Sequence, residues 1–246
     1  MLIVNHLQAH HKGFNGFLND IVGQTHPLNP KSGGKNRVQV HYKHRRETDR
    51  FFDLPPAMLD RLPGCMRARL NNRSKNVRVR VTHDQQTKEV LNKIVKARVA
   101  DIDLHMPRAV MDCRLSINLE MNWDGSVEKL EQATNPANRQ PDRNKDRLSY
   151  SQGHYQIDLT QVTQTKSQTG TGVSHAVPWR KGLPLTLSQG PQRLEKEHEL
   201  EIELSPGILI EQGERAKSNS PHRYPELVEG LVDNVRLLAR KASELG

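Results

Sequence analysis

Glu195, Glu197, Glu199, Glu201 and Glu203 fall on every second residue of the stretch EKEHELEIEL, and His198, Leu200, Ile202 and Leu204 fill much of the other phase. A period of two belongs to a β-strand, with carboxylates on one face and mostly apolar side chains on the other. Glutamate is a poor strand former, so local propensity does not account for the pattern. Same-face neighbours on a strand lie roughly 7 Å apart. Each adjacent pair then repels by about 0.6 kcal/mol in water, and by about 2–3 kcal/mol at an effective dielectric near 20. A solvated face of an antiparallel strand tolerates the smaller cost. An enclosed acidic row needs a divalent cation or a lining of Arg and Lys. The strand by itself leaves both open.

The rest of the chain supplies the opposite charge. Lys and Arg number 37 against 28 Asp and Glu, a formal net charge of +9, which favours a polyanionic partner such as RNA or a phosphorylated substrate. Hydrophobic residues make up 34% and aromatics 4% of the 246 residues, so part of the chain is expected to stay outside the packed core. The two cysteines, Cys65 and Cys113, are too few for a disulfide framework or a cysteine metal site, and they fit a reducing, intracellular compartment. The apolar start MLIV is too short for a signal peptide, and no stretch reaches the length of a membrane span. None of the twelve histidines has a metal-site spacing, and His10 and His11 are expected in solvent.

Other strand patterns follow in order. Val38, Val40 and Tyr42 alternate with polar residues. Met66, Ala68 and Leu70 alternate with Arg67 and Arg69, and Val77, Val79 and Val81 alternate with Arg78 and Arg80, which predicts a hairpin with one arginine face. Further strands are expected over Lys93–Met106, Cys113–Glu120, Arg147–Tyr150 and Tyr155–Val162, the last two joined by a turn at Gln152–His154. Residues 122–142 and 163–193 lack periodicity and are expected to be flexible insertions. Phe14, Phe17, Leu18, Ile21 and Val22 predict a short amphipathic helix before Gly23. Pro206–Gly207 is expected to break the chain, and 217–223 to be a polar loop. A helix from about Pro225 carries the apolar stripe Leu227, Val228, Leu231, Val232, Val235 and Leu238.

Short antiparallel strands with one apolar and one charged face imply an α+β fold built on a barrel or strongly curved sheet with flanking helices. Apolar faces would point outward under the helices and charged faces inward around a wet tunnel. The acidic row and the arginine faces would then face each other, which offsets the like-charge cost and favours the enclosed reading. The expected organisation is an N-terminal helix and loop over 1–36, a tunnel domain over 37–210, and a loop with a packing helix over 211–246.

The segments VRVRVTHD (Val77–Asp84), KARVADIDLHMP (Lys96–Pro107), DCRLSINLE (Asp112–Glu120), DRNKDRLSY (Asp142–Tyr150), IDLTQV (Ile157–Val162) and EHELEIEL (Glu197–Leu204) occur in an order and spacing that resemble the fungal RNA 5′-triphosphatases. These are the β subunits of the mRNA-capping enzyme, within the triphosphate tunnel metalloenzymes. The resemblance implies an antiparallel triphosphate-tunnel barrel and metal-dependent removal of the γ-phosphate from the 5′-triphosphate end of nascent pre-mRNA. That reaction leaves a diphosphate end for capping. It also implies that Arg80, Lys96, Arg143, Lys145 and Arg147 hold phosphates, with Arg114 as a further basic wall position. Glu203 would bind Mg2+ or Mn2+, Glu199 and Glu201 would orient the wall or reach the metal, and Glu120 would position the attacking water. Asp158 and Thr160 would support the wall, while Glu195 and Glu197 would lie at the mouth or surface. Arg147 is expected at a strand start and Lys145 in the preceding loop.

The family builds its metal site from two acidic strands, and no Glu-x-Glu strand occurs upstream of Val38, where the first acidic residue is Asp20. The expectation is therefore a tunnel lacking its first strand, with little γ-phosphate release from this stretch by itself. A non-catalytic, RNA-binding or scaffold subunit of the capping apparatus is the alternative. The resemblance further implies mRNA guanylyltransferase as a partner (although its usual binding peptide is not seen), a homodimer, no membrane association, and a nuclear location.

Overall fold

The computed structural model of the protein describes residues 7–30, 38–70, 77–107, 109–136, 139–165 and 194–245. Seven strands form one antiparallel sheet: β1 (His41–Asp53), β2 (Arg78–Asp84), β3 (Val90–Leu104), β4 (Cys113–Asn122), β5 (Arg143–Gln152), β6 (Tyr155–Thr165) and β7 (Leu194–Leu204). Their order is β4-β3-β2-β1-β5-β6-β7. The sheet curls, and among the described residues β4 and β7 are its two edges.

The two faces divide the chemistry as the alternation predicts. The convex face is apolar and is covered by helices in two places. Under α1 (Leu7–Thr25) and α5 (Tyr224–Leu245), Tyr150, Leu159, Leu200 and Ile202 pack against Phe14, Leu18 and Leu238. Beneath α2 (Gly64–Leu70) and α3 (Val127–Ala133), Phe52, Val79, Val81 and Val95 pack against Met66, Trp123 and Leu130. Burying that apolar area, worth about 25 cal/mol per Å2, holds the helices to the two halves of the sheet. The concave face keeps the ionisable residues.

α1 and α5 form where the 3.6-residue spacing of their apolar residues predicts. α5 opens with Pro225 in its first turn, where a missing N–H costs nothing, and buries Leu227, Leu238, Ala239 and Ala242. The Tyr150 hydroxyl lies 2.9 Å from Asn15 Oδ1 on α1, and burial with the neighbouring Tyr42 pushes its pKa up to about 12.

Four local expectations are corrected. Met66–Leu70 is helical, not a strand, so the predicted hairpin does not exist and β2 pairs with β1 and β3. Leu62, Met66 and Leu70 recur every fourth residue, a helical spacing that the five-residue alternation hid, and Met, Arg, Ala and Leu are all good helix formers. Within 122–142, expected to be a flexible loop, α3 forms because the Ser126 hydroxyl accepts from the Lys129 N–H and Leu130 is wholly buried. Pro206–Gly207 does end β7, but the chain turns directly into α4 (Pro206–Lys217) with proline in its first turn. His10 and His11 are half-buried rather than solvated, and the His11 ring lies 4.9 Å from that of His198 on β7.

The strands are also longer than the apolar alternation marks. β1 begins later than Val38 but runs to Asp53, and β5 begins at Arg143, which puts Lys145 inside a strand rather than in a loop. β6 and β7 extend to Thr165 and back to Leu194, into the second expected insertion, whose residues 166–193 lie outside the described residues.

Candidate active site

Register places the ionisable residues in rows across the concave face. Lys43 pairs with Ser149, Ser149 with Asp158, and Asp158 with Glu201. One step along, Arg45 pairs with Arg147, Arg147 with Thr160, and Thr160 with Glu199. The next row holds Glu47, Lys145, Val162 and Glu197. At the other side of the sheet Lys96 pairs with Glu120. Antiparallel pairing makes directly opposed residues share a face, so the inward placement of one strand settles it for its neighbours.

Charges in these rows meet as ion pairs. Arg147 Nη1 donates to Asp158 Oδ2 at 2.7 Å, with Glu201 at 3.9 Å and Glu47 at 4.0 Å. Asp158 and Thr160 are wholly buried, and among the described residues the Thr160 hydroxyl has no hydrogen-bond partner. Burial works against the Arg147 charge, but Asp158, Glu201 and Glu47 outweigh it and hold the guanidinium above its ordinary pKa. Lys145 Nζ lies 2.5 Å from Asp49 Oδ2, and the Thr82 hydroxyl donates to Asp49 Oδ1 at 2.7 Å. Arg143 reaches Glu199 at 2.6 Å, and Lys96 reaches Glu120 at 2.9 Å.

Glu203 is open to solvent at the β7 edge yet faces into the concavity. Partial burial, then the charges of Glu201 and Asp158, push its carboxyl above the usual value against the pull of Arg147, and Glu120 on β4 adds to the push. Carboxylates from both edges of the sheet are thus felt at one point. Glu197 is exposed, as expected of a mouth residue, and the Glu195 side chain lies outside the described residues. Arg114 stands apart at the start of β4, where it clasps Asp103 through Nε at 2.5 Å and Nη2 at 3.0 Å.

A cavity of about 770 Å3 opens on this face, and Arg80, Lys145 and Arg147 line it together with Lys43, Arg45, Glu47 and Asp49. The last four come from β1 and are absent from the sequence reading. The signal was available: Lys43, Arg45, Glu47 and Asp49 alternate with a period of two. Among the described residues Arg80 enters no ion pair, and its Nε is buried without a hydrogen-bond partner.

A sequence model described as "mRNA capping enzyme, beta chain" matches residues 4–244. The chain belongs to that family. Two relatives within the capping-enzyme beta chains carry the name mRNA-capping enzyme subunit beta. One, from Schizosaccharomyces pombe, is 28% identical over 230 residues, which cover 92% of this chain and 59% of the relative. The other, from Cryptococcus neoformans var. neoformans, is 23% identical over 241 residues, covering 96% of this chain and 45% of the relative. The chain therefore spans about half the length of the curated relatives it matches. Among solved structures, the S. pombe Pct1 RNA triphosphatase in complex with the Spt5 CTD superposes with a TM-score of 0.62 at 24% identity, covering 95% of this chain and 68% of that one. A second structure, of the S. pombe Pct1 RNA triphosphatase, gives a TM-score of 0.60. The curled antiparallel sheet with flanking helices is thus the fold of this capping-enzyme family.

Among the described residues no three His, Cys, Asp or Glu side chains converge closely enough to hold a divalent metal by themselves. The chemistry still fits, because Glu203 and Glu201 offer hard carboxylate oxygens, and Glu203 sits under a repulsion that a cation would relieve. Mg2+ is commonly held by one or two carboxylates together with phosphate oxygens and water.

Proposed function

We propose that this protein hydrolyses the γ-phosphate from the 5′-triphosphate end of nascent RNA in a metal-dependent reaction, the first step of mRNA capping. One observation carries the reading: a concave wall of Arg80, Lys145 and Arg147 faces carboxylates on both sheet edges, Glu201 and Glu203 on β7 and Glu120 on β4. A triphosphate brings several negative charges within a few ångströms, and catalysis of its hydrolysis is chiefly positioning and charge stabilisation.

In this reading Arg147 and Arg80 bind and orient the phosphates, with Lys145 and Arg143 completing the wall. Glu203 and Glu201 hold Mg2+ or Mn2+, which when bound neutralises charge on the phosphate oxygens. Glu120 orients the attacking water and accepts its proton. The new P–O bond forms to that water as the β–γ bridge breaks, giving inorganic phosphate and a diphosphate end. Glu199 keeps Arg143 in place, and Asp158 with Thr160 supports Arg147 from below. Family membership supports guanylyltransferase as a partner, a nuclear location and a homodimer.

The test is phosphate release from triphosphate-ended RNA in Mg2+ or Mn2+. Release that stops on chelation and in Glu203→Ala supports the reading. A chain that binds triphosphate RNA but releases no phosphate under any metal is instead a binding subunit of the capping apparatus, a reading favoured by the lack of a three-carboxylate cage among the described residues.

A further inference from the structure

A second pocket, about 350 Å3, is lined by concave-face residues of β1–β4 together with Arg69 and Leu70 from the last turn of α2. Among the described residues five cations line it, Arg69, Arg78, Arg80, Lys96 and Arg98, and no carboxylate does. The larger cavity differs in this respect, because Glu47, Asp49 and Asp84 share its wall. Some of the positive charge is balanced from outside the pocket. Asp53 stands 3.5 Å from Arg78, Asp101 2.7 Å from Arg98, and Glu120 2.9 Å from Lys96. Among the described residues Arg69 donates only to the Val99 carbonyl, at 3.4 Å, and Arg80 keeps a buried Nε without a partner. The lining also carries an apolar side formed by Phe51, Leu70 and Val77.

Arg80 lines both cavities. A polyanion whose end group occupies the larger one would pass over this guanidinium into the smaller. Singly charged backbone phosphates suit exposed arginines there, and an aromatic ring with aliphatic neighbours suits a nucleobase, the pairing by which single strands are held without sequence preference. A free phosphate or polyphosphate has no use for the apolar side.

We infer that this pocket is the site for the RNA chain itself, with Arg69, Arg78 and Arg98 on the backbone phosphates next to the triphosphate and Phe51 against a base. The inference rests on the proposed function, since it takes the larger cavity as the triphosphate site. It implies that the protein holds RNA ends more tightly than free triphosphates.

The experiment measures fluorescence anisotropy of a roughly ten-nucleotide triphosphate-ended RNA, a length within single-strand site sizes, with inorganic tripolyphosphate as a second probe. Arg69→Ala and Arg98→Ala should each weaken RNA binding roughly fivefold and lower the salt slope by about one. Tripolyphosphate affinity should not change, and Arg215→Ala on α4, which pairs with Glu211 far from either cavity, should alter neither probe. Unchanged RNA affinity in both variants would overturn the inference while leaving the triphosphate site standing. Equal losses for RNA and tripolyphosphate would overturn it too, by making these arginines part of the triphosphate site. Wild-type protein that binds RNA but not tripolyphosphate would overturn the functional reading and this assignment with it.

Discussion

Lys145 and Asp49 meet at 2.5 Å in the floor of the concave sheet, 4% and 1% exposed. Removing one member of a buried pair leaves the other charged and uncompensated, typically a loss of about 3–5 kcal/mol. Asp49→Ala should therefore destabilise the protein by roughly that amount, measured by urea unfolding. Asp49→Ala with Lys145→Met should recover part of the loss, because no buried charge remains. An undiminished unfolding midpoint in Asp49→Ala would show that the pair does not hold β1 to β5.

The same pair sets a pH dependence. Burial works against the Asp49 carboxylate, but Lys145 and the Thr82 hydrogen bond outweigh it and keep its pKa below the usual value. A depressed carboxyl contributes stability that is fully present above its unfolded pKa, about 3.9, and is lost as pH falls through the folded value. Stability should therefore drop below about pH 4, and Asp49→Asn should flatten that limb of the curve. Lys145 acts at the other end. Burial pulls its ammonium below the usual lysine value despite Asp49, a cost that disappears as pH rises toward the unfolded value near 10.4.

Arg147 joins binding and folding in one side chain. Its removal exposes the wholly buried Asp158 as an unpaired charge, so Arg147→Ala should lose stability along with activity. Arg147→Lys keeps the charge but loses the planar fork that reaches Asp158, Glu201 and Glu47 together. It should fold, and should cut phosphate release by roughly tenfold or more, since one lost charge-assisted contact is worth about 1.5–3 kcal/mol. Lys241→Ala, on the outer helix against Phe17, should leave phosphate release unchanged. Equal effects at both positions would point to general charge and not to a site.

On the convex side, Gly230 of α5 packs against the Tyr155 hydroxyl, which donates to the Leu227 carbonyl at 3.0 Å. A Cβ at residue 230 would collide with that hydroxyl. Gly230→Ala should lower thermal stability by about 1–3 kcal/mol despite alanine's better helix propensity. Gly16, with open space around it on α1, is the matched control, and its alanine variant should gain stability.

Much of this architecture was legible in the sequence, because apolar and charged residues alternate cleanly along β2, β4, β6 and β7. The part of strand β1 beyond the predicted Val38–Tyr42 pattern escaped for the same physical reason. Its outward phase reads His44, Arg46, Thr48, Arg50, with Phe52 alone buried, so no apolar stripe marks it. Glu47 and Asp49 were hidden with it. The family resemblance assigned Arg147, Asp158 and Glu203 to one site as phosphate holder, wall support and metal ligand, and strand register sets all three on the concave face. The partnership of Asp49 with Lys145, 96 residues apart by number, depends on β1 lying beside β5, and no local pattern carries that information.

The pairs Arg147–Asp158, Lys145–Asp49, Arg143–Glu199 and Lys96–Glu120 mean that the wall is largely self-neutralised. Apart from Arg80, which enters no ion pair among the described residues, the cations of this wall are already held, and an incoming anion must outcompete the carboxylates in place. Chloride or a lone phosphate ion, carrying little charge, gains too little to prise those pairs apart. On the proposed function a chain of three phosphates would, and a divalent cation arriving with it would give the displaced carboxylates somewhere to go. On that reading the concave face would work as a threshold device, indifferent to the millimolar small anions of a cell and responsive to charge density.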